Sequence, residues 1–122
     1  MNKPIIAITM GDPCGIGAEI VVKALSDPAL VGRARFVVFG LSEQLQYTAD
    51  ALEVDLRARR DHHEDIRRYP DGLVVLDYDE LSVPASMPRG PSRIGGEASF
   101  RFVDDAVDAA LAEMVDAVVT AP

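Results

Sequence analysis

The chain has 122 residues, enough for one ordinary domain with a real core. Hydrophobic residues make up 48% and charged residues 26%, which is the composition of a soluble globular chain and not of a disordered one. With 12 Lys+Arg against 20 Asp+Glu the net charge is −8, which disfavours a general nucleic-acid or membrane-surface partner. Cys14 is the single cysteine, so an intrachain disulfide and a cysteine zinc site are excluded, and a cytoplasmic, reducing compartment fits best.

The first element is an apolar run, Ile5 to Met10, with the length and β-branched content of a strand buried on both faces. It is too short for a membrane span and is cut by Gly11-Asp12-Pro13, so it reads as neither an anchor nor a convincing signal peptide. Gly15 and Gly17 let the backbone turn, and Ile16, Ile20, Val21, Ala24 and Leu25 follow at helical spacing. Strand, glycine-rich turn and helix aim backbone N–H groups at a bound anion. The spacing departs from the dinucleotide fingerprint, because Ile20 stands where its third glycine belongs, and the Gly-Lys-Ser/Thr of a P-loop is missing. Asp12 and Glu19 bring negative charge to the same place. Two readings of the turn therefore stand side by side: a ligand loop, or glycines that only shape a strand-to-helix connection while Glu19 complements the helix dipole.

Ser26-Asp27-Pro28 stops the first helix. Arg33 to Phe39 reads as a second strand, and Ser42 as the N-cap of a helix running to about Leu52 with Leu45, Ala49 and Leu52 inward. Val54, Leu56 and Ala58 alternate with charged residues, which predicts a short half-buried strand. Arg57 to Arg68 carries five arginines among acids and the pair His62-His63. Adjacent histidines point to different sides of an element and make a poor metal site, so a solvated connection is the plain reading and an anion patch the sharper one. Pro70-Asp71-Gly72 predicts a turn and Leu73 to Tyr78 another strand.

Residues 82–96 form a long loop rich in proline and glycine, with Arg89 and Arg93 inside it. A helix is expected from about Glu97 to Met114, with Val103, Ala106, Val107, Ala110, Leu111 and Met114 on one face. Asp116 then leads into AVVTAP, which starts like a buried strand. The order β-α-β-α-β-β-α-β predicts an α/β fold, a mostly parallel doubly wound sheet with helices on both faces, and a ligand site beyond the carboxyl ends of the strands. Ending on such a strand, residues 1–122 are expected to be the N-terminal α/β portion of a longer protein.

Three segments carry a family resemblance. Ile8 to Ile20, ITMGDPCGIGAEI, resembles the MGDPAGIGPEI opening of the 4-hydroxythreonine-4-phosphate dehydrogenase family. Gly90 to Ser99, GPSRIGGEAS, resembles the family's G-x-x-S-x-x-G-G-x-x-S segment ahead of a long helix. Asp116 to Pro122, DAVVTAP, resembles the strand that in the family leads into an Asn-Lys motif. Cys14 and Ala18 stand where the family usually has alanine and proline, and losing that proline weakens the helix start slightly. Cys14 is read as a small buried filler.

The resemblance implies an NAD- or NADP-dependent dehydrogenase of isocitrate/isopropylmalate-dehydrogenase-like architecture, a cytoplasmic homodimer using a divalent metal. Its substrate is a small phosphorylated hydroxy acid, oxidised at a secondary alcohol with decarboxylation: 4-hydroxy-L-threonine 4-phosphate in pyridoxal phosphate biosynthesis. Alternatives within the resemblance are a 4-phospho-D-threonate or erythronate dehydrogenase of sugar-acid catabolism and, further off, a dihydrodiol dicarboxylate dehydrogenase. The family's metal-ligand histidines do not match His62 or His63, so no metal site and no catalytic residue is expected within these 122 residues. Gly11, Asp12, Gly15, Gly17, Ser92 and Arg93 are the candidates for the substrate or cofactor cleft. A reading of another class is a non-catalytic anion-binding or interaction module using Arg89, Arg93 and the Arg57–Arg68 segment. On its own the chain is expected to associate, to bind no metal and to lack activity.

Overall fold

The computed structural model describes residues 3–62, 65–69, 71–84 and 86–122. His63, and Pro70 of the expected turn, lie outside the described residues. The elements run β1 (Ile5–Thr9), α1 (Gly17–Leu25), α2 (Pro28–Val31), β2 (Arg35–Gly40), α3 (Ser42–Ala51), β3 (Arg59–Asp61), a 3-10 turn (Ile66–Arg68), β4 (Leu73–Asp77), α4 (Arg93–Leu111) and β5 (Ala117–Thr120). The five strands form one sheet in the order β3-β4-β2-β1-β5, and every pairing is parallel. The expected order of elements and the α/β class hold, with a fully parallel sheet.

Right-handed crossovers decide the layers. From β1 the chain steps through α1 to β2 and through α3 outward to β3, so α1 and α3 share one face, where they pack on each other. From β4 it returns past β2 and β1 to β5, so α4 takes the opposite face and lies across β1, β2 and β5. The sheet is therefore doubly wound. β1, β2 and β4 are its middle strands, and β2 and β4 are nearly continuous runs of buried residues. That is what a parallel strand covered on both faces requires.

Four local expectations are corrected. Val54 to Ala58 is not a strand; β3 begins at Arg59, where its backbone comes into register with Val74 of β4, and only Leu56 of the expected stripe is buried. Ser42 is the first helical residue and not the cap: Leu41 stands at that position, and the Asp77 carboxylate accepts the Ser42 N–H at 2.8 Å. A neighbouring strand thus supplies the acceptor that a local cap supplies elsewhere.

The third correction concerns α4, which starts at Arg93, four residues before the expected Glu97. The Ser92 hydroxyl accepts the Gly95 N–H at 3.0 Å and opens the helix there. Its buried face is Gly95, Ala98, Phe102 and Ala106, while Val107 and Leu111 point outward, Leu111 with 79% of its surface exposed. Phe102 lies edge-on to Tyr78 at 4.9 Å between ring centroids, and burying such an aromatic contributes roughly 1.5–3 kcal/mol. Finally, β5 is an edge strand among the described residues, and Val119 is 52% exposed where a buried strand was expected.

Candidate functional site

In a doubly wound sheet the crevice for ligands opens where the direction of winding reverses. Here that place lies between β1 and β5, beyond their carboxyl ends. The residues after β1 are Met10 to Ile16; the residues after β5 are Ala121 and Pro122. The two connections touch. Gly11 has φ +82°, and a Cβ there would sit 2.3 Å from the Pro122 carbonyl oxygen. At Gly17 a Cβ would lie 2.1 Å from the Met10 carbonyl oxygen, so only glycine lets α1 start this close to the end of β1.

Asp12 ties this loop to α4. Its Oδ1 accepts the Cys14 N–H at 2.8 Å, an Asx turn, and also lies 2.3 Å from the position a Cβ would take on Gly95. The carboxylate therefore rests against the first turn of α4, where the helix dipole favours negative charge. Ser92 sits beside it, 3.5 Å from the Cys14 sulfur. Cys14 is 3% exposed, with Met87 Sδ at 3.9 Å, the buried filler the sequence suggests. α1 has no side-chain cap, so the N–H groups of its first turn have no side-chain acceptor.

The candidates thus divide. Gly11, Asp12, Gly15, Gly17 and Ser92 are brought together at the switch point with Gly95. Arg93 is not: its side chain is 93% exposed on the outside of α4 and pairs with Glu97 at 3.1 Å, one helical turn on. Gln44 was missed. It is buried, and its Nε2 donates to the Pro13 carbonyl at 2.5 Å, while its Oε1 has no partner among the described residues. A glutamine next to Leu45 on the inward face of an amphipathic helix is the one signal that points to it.

The arginines of the 57–68 segment are paired within the protein. Arg57, Arg59, Arg60, Arg67 and Arg68 each lie within 3.5 Å of a carboxylate: Asp55, Asp61, Asp77, Asp116 and Asp65 respectively. Arg67 also donates to the Glu113 carbonyl, and Ile66 is buried beneath the segment.

No protein-family model matches the chain. It is 33% identical over 121 residues to the D-threonate 4-phosphate dehydrogenase of Cupriavidus necator, covering 98% of this chain and 36% of that protein. It is 35% identical over 125 residues to the 4-hydroxythreonine-4-phosphate dehydrogenase of Trichlorobacter lovleyi, again covering 98% and 36%. The chain is a homologue of part of these dehydrogenases. The resemblance to the 4-hydroxythreonine-4-phosphate dehydrogenase family therefore extends from the three motifs to the whole of its length. The crystal structure of a 4-hydroxythreonine-4-phosphate dehydrogenase from Burkholderia phymatum superposes with a TM-score of 0.81 at 29% identity, over 98% of this chain and 36% of that one. A terephthalate 1,2-cis-dihydrodiol dehydrogenase from Burkholderia xenovorans follows at a TM-score of 0.65 and 29% identity, over 96% and 33%, the more distant relation expected of that class. The chain spans about 36% of the length of the curated relatives it matches.

Among the described residues, no group of three ligand side chains for the metal that the family implies lies at the switch point. Among the described residues the group of acids close enough to share an ion is Asp104, Asp105 and Asp108, whose ligand atoms lie within 4.8 Å of one another. It belongs to the middle of α4, and the Tyr78 hydroxyl donates to Asp105 at 2.7 Å. Burial and this bond push the Tyr78 phenol well above its ordinary value, so it stays a neutral donor. These residues do not fit the family's metal. Among the described residues no helix is long and apolar enough to cross a membrane.

Proposed function

We propose that residues 1–122 are the N-terminal α/β portion of a longer NAD- or NADP-dependent dehydrogenase. It oxidises the secondary alcohol of a small phosphorylated hydroxy acid, whose oxo product then loses its carboxylate as CO2. The observation that carries this reading is the match along the full chain, in sequence and in backbone, to proteins named for that class of substrate. Their names supply two candidates, 4-hydroxythreonine 4-phosphate, whose oxidation belongs to pyridoxal phosphate biosynthesis, and D-threonate 4-phosphate. Both pair a phosphorylated end with an oxidisable alcohol. The cytoplasmic setting, the homodimer and the divalent metal follow from the resemblance, the metal with ligands from outside these residues.

Hydride acceptance belongs to the nicotinamide cofactor. The part of these residues is placement: Gly11, Gly15 and Gly17 bring β1, α1 and the end of β5 together, Ser92 opens α4, and Asp12 joins the two helix starts. In this reading Asp12 orients a polar group of the ligand; its carboxylate stands at the switch point, where its Oδ1 accepts the Cys14 N–H.

The test is to express the whole reading frame and follow NAD(P)H absorbance with D-threonate 4-phosphate and with 4-hydroxythreonine 4-phosphate, with each cofactor. Turnover of one of them is expected, and turnover of neither overturns the proposal. In the active enzyme Asp12→Asn should lower kcat far more than it lowers Tm. Unchanged kinetics would leave Asp12 as a turn-forming residue alone.

A further inference from the structure

Four successive carbonyls of the glycine loop are held from different directions. The Gly15 N–H returns to the Asp12 carbonyl at 2.9 Å, and Gln44 donates to that of Pro13. The Gly90 N–H donates to the Cys14 carbonyl at 3.1 Å, and Arg89 donates to the Gly15 carbonyl at 2.8 Å. Two of the four holds therefore come from Arg89-Gly90, a segment outside any helix or strand. The second arm of the Arg89 guanidinium lies 3.6 Å from Glu19, the acid in the first turn of α1, which Lys23 also approaches at 3.2 Å. A hollow of about 220 Å3, lined by Gly15, Ala18, Glu19, Gln44, Met87 and Arg89, opens at this point.

We propose that Arg89 is a positioning residue: with Gly90 it clamps the carbonyls of the glycine loop and so fixes the backbone that the loop presents at the switch point. A guanidinium bond to a carbonyl is charge-assisted and directional, and its planar fork reaches Gly15 and Glu19 with separate nitrogens, a geometry that a lysine ammonium's single nitrogen does not reproduce. The pair with Glu19 is exposed and weak alone, so the bond to Gly15 carries the effect. This also answers the negative charge of Glu19, which is offset by two flanking cations. That the loop serves a substrate rests on the proposed dehydrogenase function; the clamp itself does not.

Cys14 provides a reporter, because its carbonyl is one of those held and its thiol is buried. In the full-length protein, iodoacetamide labelling of the Cys14 peptide would be timed by mass spectrometry for the native protein and for Arg89→Ala, Arg89→Lys and Arg67→Ala. Labelling is expected to quicken about tenfold or more in Arg89→Ala and by less in Arg89→Lys. It should not change in Arg67→Ala, which removes an arginine from a different carbonyl. With D-threonate 4-phosphate or 4-hydroxythreonine 4-phosphate, whichever is turned over, kcat/KM should fall about tenfold in Arg89→Ala, with partial rescue by lysine and little change in Tm. Labelling of Arg89→Ala within about twofold of native overturns the clamp, and faster labelling with unchanged kcat/KM overturns the positioning role. If the native protein turns over neither compound, the dehydrogenase reading fails while the labelling still decides the clamp.

Discussion

The glycine loop and the Arg57–Arg68 segment both look from the sequence like places for an anion, and the structure treats them in opposite ways. In the loop it is the acceptors that are consumed. The carbonyls of Asp12, Pro13, Cys14 and Gly15 are each taken by a donor, while the first turn of α1 has no side-chain cap. In the arginine segment it is the cations that are consumed, each by a carboxylate within 3.5 Å. Formal charge is therefore a poor guide to where this protein has spare capacity for a ligand. Five arginines are paired with carboxylates of the protein itself, whereas the N–H groups of the first turn of α1 have no side-chain acceptor.

The sharpest way to break this comparison is Gly17→Ala. The added methyl meets a backbone carbonyl, which cannot swing aside as a side chain would, so a loss of about 3 kcal/mol or more is expected in denaturant unfolding. The gain of roughly 1 kcal/mol in helix propensity does not offset it. A loss well under 1 kcal/mol would show the loop to be compliant.

The arginine segment can be graded within itself. Asp77 is buried, receives Arg60 at 2.8 Å and accepts the Ser42 N–H at the start of α3. Asp77→Ala should cost about 1–3 kcal/mol, because it leaves that N–H without its acceptor. Arg57→Ala, at an almost fully exposed pair with Asp55, should leave Tm unchanged within error. Equal effects from the two would erase the distinction drawn between a pair with a buried carboxylate and a solvated one.

A small, pH-dependent effect is expected at the other end of the segment, where Arg67 meets Asp116. The Ile5 N–H, and after it Arg67, hold the Asp116 carboxyl below its ordinary value. A depressed folded-state value means that the contribution to stability is present above the unfolded value, about 4, and is lost as the pH falls through the lower folded one. Asp116→Asn should therefore lower Tm slightly near neutral pH, and the gap to native should close under acid conditions that protonate Asp116. A gap that widens on acidification would contradict the assignment.

What was legible in the sequence was everything governed by local periodicity and turn chemistry. Ile5 to Thr9, Arg35 to Gly40 and Leu73 to Asp77 are strands because short, mostly apolar runs rich in β-branched, aromatic and leucine side chains suit a strand covered on both faces. Gly11-Asp12-Pro13 ends the first of them because of the φ that proline fixes and the hydrogen bond it cannot donate. The order of these elements, with right-handed crossovers, already implies a doubly wound parallel sheet. The Gly11 to Gly17 turn and Ser92 were legible as candidates, and the fold brings them together.

The sequence could not say which side of α4 is buried, because Phe102 and Leu111 are equally apolar. The choice falls to Tyr78, Asp12 and the sheet, contacts made across the chain. Nor could it assign Gly95 to a helix: two adjacent glycines read as loop until the Asp12 carboxylate is seen to occupy the space a side chain would need. The acceptor at the start of α3 comes from Asp77 and not from Ser42, and Gln44 and Arg89 become loop-holding residues only once their distant carbonyls are beside them. Local propensity is written along the chain. Hydrogen-bond satisfaction and close approach depend on which remote segments meet, and that is decided only when the sheet closes.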